Sequence, residues 1–283
     1  MTNPAAKLTT RLLIVSAGAG SVTDEVQAKL TEAFPDFRRF DFNPSRDFTR
    51  MITPNATVVV AGSDGTIGFV ARALAGSRRR LGILALGTFN NFALALGLPD
   101  DIDKAIAVIR EGKARPVTLG RVDGKPFLEA AAVGFFGEAI VLGDKAKERA
   151  FGDFAKDLRV VAGAQPFEYT ISGDLEGHGR ALSLVFSNTP SIGARMPVGD
   201  KTPTEPFLEL SVHVGSSRTD VVGRVLASAL LDQHVEDQGM SFHFRSITVQ
   251  TKPRINVFGD NLRAGRTPVT IRADPGALRV IVP

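Results

Sequence analysis

Val58-Val59-Val60-Ala61-Gly62-Ser63-Asp64-Gly65-Thr66-Ile67 is the stretch on which the fold turns. A β-branched run ends in a glycine-rich turn, and the apolar periodicity beyond it predicts a helix from about Thr66 to Ala75. Glycines let the backbone come close to a ligand and adopt positive φ. The first N–H groups of a helix lack intrahelical acceptors, so such a junction is a natural anion site. Asp64, at the carboxyl end of the strand, is placed to bind a cation or orient a hydroxyl. A tight βα turn with Asp64 as a cap fits the same letters, and Gly-x-Asp-Gly-Thr alone does not separate the two. The Gly-Lys-Thr pattern of a P-loop is absent.

A second stretch has the same build: Leu86-Gly87-Thr88-Phe89-Asn90-Asn91-Phe92-Ala93, then Leu96-Gly97-Leu98-Pro99. Strand end, glycine, polar residues and helix follow one another again. Two parallel strands ending in such turns put both turns on one rim of a sheet, where open α/β domains bind ligands. N-capping by Thr88 or Asn90 would explain this turn alone, but the recurrence favours a site.

Working outward, Arg11–Val15, Phe37–Phe42 and Leu81–Leu86 read as further strands, and Val22–Phe34 and Asp101–Arg110 as helices. Strands alternating with helices predict an open, mostly parallel sheet covered on both faces. The texture changes after about Arg115. Pro116–Val122 and Pro126–Val133 flank Asp123-Gly124, a hairpin signal. Strands follow at 167–172, 180–187, 207–214, 242–250, 254–258, 267–272 and 278–282, with helices at 144–162 and 220–231. This half predicts an antiparallel β-sandwich. The length of 283 residues accommodates two such domains, and we divide them as 1–120 and 121–283, with the boundary falling near 115–135.

Composition narrows the chemistry. There is no Cys, which removes disulfides, thiolate metal sites and thiol nucleophiles. The net charge is only +4, so no nucleic-acid partner is expected. No apolar run is long enough to span a bilayer and the N-terminus lacks a signal-peptide core, so a cytoplasmic protein is expected. His178, His213, His234 and His243 lack metal-ligand spacing, and no metal ligand is assigned. Arg78-Arg79-Arg80 fits either a solvated helix end or an anionic membrane face.

Together these segments resemble the diacylglycerol kinase catalytic-domain family, which includes bacterial lipid kinases and sphingosine kinases and is related to NAD kinases. The likeness is carried by the Gly-x-Asp-Gly-Thr turn, the Leu-Gly-Thr-x-Asn segment with its Leu-Gly-Leu-Pro ending, Ala131-Ala132-Val133-Gly134-Phe135, Phe258-Gly259-Asp260, Thr267-Pro268 and Leu278-Arg279-Val280-Ile281-Val282-Pro283. The resemblance implies an N-terminal nucleotide-binding α/β domain, a C-terminal β-sandwich contributing the lipid site, and a cleft between them. ATP phosphates would meet Gly62, Asp64, Gly65 and Thr66, with Gly87, Thr88 and Asn90 completing the nucleotide site. Ser16, Ser63 and Asn91 join these as candidate nucleotide contacts. Asp64 would orient Mg-ATP, and Asp260 would take the proton from a lipid hydroxyl. A lipid substrate, peripheral contact with the inner membrane face and a homodimer are the partners the family suggests.

The departures fall on acidic and polar positions. The family's Asn-Pro-x-Ser-Gly is Ser16-Ala17-Gly18-Ala19-Gly20, its second turn glycine is Ser63, and its Asn-Glu pair is Gly68-Phe69. Expected acids are replaced by Asn91, Phe136 and Phe258, the final Glu is shortened to Asp260, and an Asp-Asp-Gly segment aligns loosely with Thr204-Glu205-Pro206. Asn91 cannot carry charge to a metal. The expected activity is ATP- and Mg-dependent phosphorylation of diacylglycerol or a related long-chain alcohol. The alternative is a catalytically weak or inactive lipid- or nucleotide-binding paralogue. NAD kinase-like activity fits the glycine turn but not the late segment.

Overall fold

The computed structural model describes residues 8–16, 22–137, 165–193, 195–214, 240–260 and 262–283. Ala17–Gly20, the helices expected at 144–162 and 220–231, and His234 lie outside the described residues. Two compact units emerge, one reaching Val117 and including Gly276–Pro283, the other spanning Thr118–Pro275. The sequence division assigns Gly276–Pro283 to the second domain; in the structure this segment belongs with the first unit.

In chain order the first elements are β1 (Thr9–Val15), α1 (Asp24–Ala33), β2 (Arg38–Asp41), β3 (Ile52–Gly62), α2 (Asp64–Leu74), β4 (Arg80–Ala85), α3 (Asn91–Ala95) and α4 (Ile102–Glu111). There follow β5 (Lys113–Val122), β6 (Lys125–Phe127), β7 (Ala130–Gly134), β8 (Phe167–Gly173), β9 (Gly177–Ala181) and β10 (Ser183–Ser187). The last are β11 (Ser191–Ile192), β12 (Met196–Pro197), β13 (Leu208–His213), β14 (Met240–Phe244), β15 (Ser246–Lys252), β16 (Asn256–Gly259), β17 (Leu262–Arg266) and β18 (Val269–Val282).

The first unit is a parallel sheet in the order β2-β1-β3-β4, closed by the end of β18, where Val280 pairs with Leu81. Val58, Val59, Val60 and Ala61 are all fully buried, as a central strand covered on both faces requires of a continuous apolar run. On one face Leu13, Val15, Val59, Ala61, Leu84 and Ile281 pack with Leu30 and Phe34 at α1 and with Ile106 and Ile109 of α4. Strand alternation turns Leu12, Ile14, Val58 and Val60, also buried, to the other face. Caps set the helix starts. Thr23 Oγ1 accepts the Val26 N–H at 3.3 Å, so α1 begins at Asp24 rather than Val22. Asp101 accepts the Lys104 N–H at 2.9 Å and starts α4.

The second unit is an antiparallel sandwich. One sheet runs β18-β15-β8-β9 with β5 and β6 beside β18, and the other runs β14-β13-β10-β7-β16-β17. Phe127, Phe167, Ile171, Ile247 and Ile271 from the first meet Val133, Leu184, Phe186, Leu210, Phe244 and Val257 from the second in one buried cluster. The hairpin at Asp123-Gly124 forms, with φ of 46° and 85° at its two residues.

Three runs expected as single strands are each broken and shared between the two sheets. The run 180–187 breaks at Leu182 between β9 and β10, and 242–250 breaks at Arg245 between β14 and β15. The run 126–133 breaks at Leu128 and Glu129 between β6 and β7. At each break the released N–H groups find acceptors. Leu182 N donates to the His213 carbonyl at 3.0 Å. Arg245 N and Ser246 N both donate to Asp174 Oδ2 at 2.8 Å, and Leu128 N and Glu129 N donate to Asp260. Conversely, the two segments expected at 267–272 and 278–282 are one continuous strand, β18.

Candidate functional site

Ser63, with an extended backbone, is the N-cap residue of α2, and its carbonyl accepts the Ile67 N–H at 2.9 Å. The helix therefore begins at Asp64, two residues before the expected Thr66, and Asp64 lies in the first turn instead of capping it. The first-turn N–H groups, for which a helix supplies no acceptor of its own, belong here to Asp64, Gly65 and Thr66. Thr66 is buried, and Gly62 is a site of close approach: a Cβ there would stand 3.0 Å from Thr66 Cβ and 3.1 Å from Ser16 Cβ.

Gly62 and Ala85 are partners in the parallel β3–β4 ladder, and Leu86 N donates to the Gly62 carbonyl at 2.9 Å. Both glycine turns therefore leave the same rim of the sheet. Asn90 holds the second turn in the left-handed region, φ 53°. Its Oδ1 accepts the Gly87 N–H at 3.0 Å, and its Nδ2 donates to the carbonyls of Gly87 at 3.1 Å and Ala85 at 3.4 Å. The Asp64 carboxylate ties the turns together by accepting the Asn90 N–H at 3.1 Å. A Cβ on Gly87 would stand 2.7 Å from Asn90 Oδ1 and 3.0 Å from Asp64 Oδ2, so this junction demands glycine.

The predicted nucleotide residues thus separate into three kinds. Gly62, Thr66, Asn90 and Asn91 are buried and build the rim; Ser16, Ser63, Asp64 and Gly87 are half-buried on it, and Gly65 and Thr88 are exposed. Gly65 has no packing reason to be glycine. Its added Cβ would meet nothing nearer than Ser63 Oγ at 4.0 Å, and its φ is not left-handed.

Asp260 belongs to the second unit and opens the two-residue connection between β16 and β17, with φ 50°. Its Oδ1 accepts the N–H groups of Leu128 at 3.1 Å and Glu129 at 2.9 Å, its Oδ2 accepts Leu128 N at 3.1 Å, and its own N–H donates to the Ala130 carbonyl at 2.7 Å. Phe136 is buried edge-on against Phe135 and the His213 ring. The Glu205 carboxylate accepts the Thr202 N–H at 2.7 Å and closes a turn. Among the described residues no cluster of three or more His, Asp or Glu side chains could hold a metal. Arg79 donates to the carbonyls of Thr53, Thr49 and Ile52, leaving Arg78 and Arg80 as the exposed members of the arginine run, which precedes and enters β4 instead of ending a helix.

Sequence reasoning passed over Asn188 and Lys201. Both are almost fully buried, and Lys201 Nζ donates to Asn188 Oδ1 at 2.6 Å and to the Thr202 carbonyl at 2.6 Å. Burial pushes the Lys201 ammonium down to about 7, against the opposing pull of Glu205 and Glu209. A lysine between Asp200 and Thr202 carries no local mark of burial, so nothing in the letters could have found it.

A family model for the diacylglycerol kinase catalytic domain matches residues 12–122. A protein of Klebsiella pneumoniae named as a YegS-like lipid kinase is 30% identical over 235 residues, covering 80% of this chain and 78% of that protein. An uncharacterized Synechocystis protein is 29% identical over 80% of this chain, but the chain spans only 54% of its length. The crystal structure of a diacylglycerol kinase from Bacillus anthracis superposes with a TM-score of 0.74 at 22% identity, covering 100% of this chain and 99% of that one. No helix among the described residues is long and apolar enough to cross a membrane.

Proposed function

The chain belongs to the diacylglycerol kinase catalytic-domain family, and from that premise we propose that it transfers the γ-phosphoryl group of ATP to the hydroxyl of a lipid, diacylglycerol or a related long-chain alcohol. The observation that carries the reading is the double glycine turn. Two strand ends share one rim, Asp64 ties them, and the exposed Gly65 leaves room at the N-terminus of α2 for a bulky anion. Main-chain N–H groups and the helix dipole there suit phosphate oxygens. Asp64 supplies a carboxylate at this rim, and among the described residues no cluster of three or more His, Asp or Glu side chains gathers to hold a metal, so a divalent ion would come with the nucleotide phosphates, in the manner usual for Mg²⁺. In the transfer, Asp260 takes the hydroxyl proton, the lipid oxygen bonds to Pγ, and the bond from Pγ to the bridging oxygen breaks to release ADP.

The test is transfer of label from γ-labelled ATP with Mg²⁺ to a mixed lipid extract. Labelled lipid is expected with the wild-type protein, and transfer slower by about a hundredfold or more with Asp260→Asn. Full activity in Asp260→Asn would remove Asp260 from the mechanism. Burial of Asn91 and Phe136, at positions where the resembled kinases carry acids, favours a second reading as a binding paralogue. That reading expects ATP to stabilise the wild-type protein without any transfer, and transfer raised by Asn91→Asp with Phe258→Asp would show the lost acids to be the defect; labelled lipid with the wild-type protein refutes it.

A further inference from the structure

A buried polar cluster in the second unit supports Asp260 from the far side of the backbone segment it binds. Lys201 is 2% exposed and Asn188 fully buried. Lys201 Nζ donates to Asn188 Oδ1 at 2.6 Å, the Thr202 carbonyl at 2.6 Å and the Asn188 carbonyl at 3.5 Å. A side-chain amide has two ends of nearly equal shape, one accepting and one donating. With a lysine donor on Oδ1, the NH2 end must face the other way, where it donates to the carbonyls of Leu128 at 2.8 Å and Thr118 at 2.9 Å. A flipped amide would set its oxygen against those two carbonyls and its NH2 against the lysine. Asn188 N also donates to the Glu129 carbonyl at 2.7 Å. Leu128 and Glu129 are therefore clamped on both edges, their carbonyls by Asn188 and their N–H groups by the Asp260 carboxylate.

We infer that Lys201 is a positioning residue for Asp260: it orients the Asn188 amide, which fixes the Leu128–Glu129 segment, whose N–H groups aim the carboxylate. The inference rests on reading Asp260 as the base. Burying a lysine is costly, and burial lowers Lys201 to about 7 despite Glu205 and Glu209. Glu209 Oε2 meanwhile accepts the main-chain N–H groups of Asp200 at 3.2 Å and Lys201 at 3.3 Å, and so holds the segment that carries the amine. A methionine would fill the same space without that cost, so directed donors are what the lysine supplies.

The experiment compares Lys201→Met with wild type by amide exchange and by kinetics. Exchange at Leu128 and Glu129 should quicken about tenfold or more, while amides of the β8–β15 ladder keep their rates. The turnover of Lys201→Met should fall about tenfold, and adding it to Asp260→Asn should cost nothing further, because the two act through one group. Unchanged exchange at Leu128 and Glu129, or turnover losses that simply multiply, would overturn the inference. Should Asp260→Asn retain wild-type transfer, the base reading falls alone, and the exchange rates still decide what Lys201 does. If Lys201→Met does not fold, Lys201→Gln keeps an N–H for Asn188 Oδ1 and should hold exchange at both amides close to wild type; exchange as fast as in an open loop refutes the role.

Discussion

Gly65 differs from Gly62 and Gly87 in having no packing reason for its missing side chain. At Gly87 an added methyl group would collide with Asn90 Oδ1, and at Gly62 it would press on Thr66 and Ser16, so either substitution disturbs the packing of the rim and says little about binding. At Gly65 the same methyl group meets only Ser63 Oγ at 4.0 Å. Alanine is also the better helix former by up to about 1 kcal/mol, though less so in an exposed first turn. Gly65→Ala should therefore melt at the wild-type temperature or slightly above it. In the proposed site, however, the methyl group occupies the approach of the phosphates, and ATP affinity should drop about tenfold or more. A thermal-shift titration with ATP measures both quantities on one sample. An unchanged ATP response would move the nucleotide away from this turn.

At two of the three breaks where the sandwich exchanges strands between its sheets, acidic side chains take over from the ladder. Asp174 receives the N–H groups of Arg245 and Ser246 at the β14–β15 break, as Asp260 receives those of Leu128 and Glu129 between β6 and β7. The Ser246 and Arg245 N–H groups hold the Asp174 carboxyl below its ordinary 3.8. A carboxyl depressed by folding contributes stability above its unfolded pKa, and that contribution fades as pH falls through the folded value. Asp174→Asn should thus melt below wild type at pH 7, and the two melting curves should converge as pH falls below 3.8. A difference that persists undiminished in acid would assign the effect to packing. These breaks also mark the limit of sequence reading. Apolar runs such as Val58–Ala61 announce their own burial, and the glycine turns were legible because strand end, glycine and helix start lie within one short window. Arg245 is split from its run by an aspartate 71 residues away, and Leu128 by one 132 residues away. No local window holds that information, which is also why the Lys201 and Asn188 pair stayed hidden.

Across the whole molecule, the chain returns at its end to the unit in which it started. β18 pairs antiparallel with β15 at Val269–Arg272 and parallel with β4 at Arg279 and Val280. Leu278, Val280 and Ile281 are buried, and Ile281 packs in the cluster beneath α1 and α4. Burying three such side chains is worth about 1.5–3 kcal/mol each, a sum comparable to the net stability of a whole domain, about 5–15 kcal/mol. Their loss would also bare the edge of β4, whose unpaired backbone invites association with other chains. A chain ending at Pro275 keeps every residue of the second unit. It should nevertheless lose the proposed ATP binding and the cooperative melt of the first unit, while hydrogen exchange still protects β8, β10 and β15. Loss of protection in both units would show that the closing strand supports the sandwich as well. Retained ATP binding would show that the glycine turns stand without it.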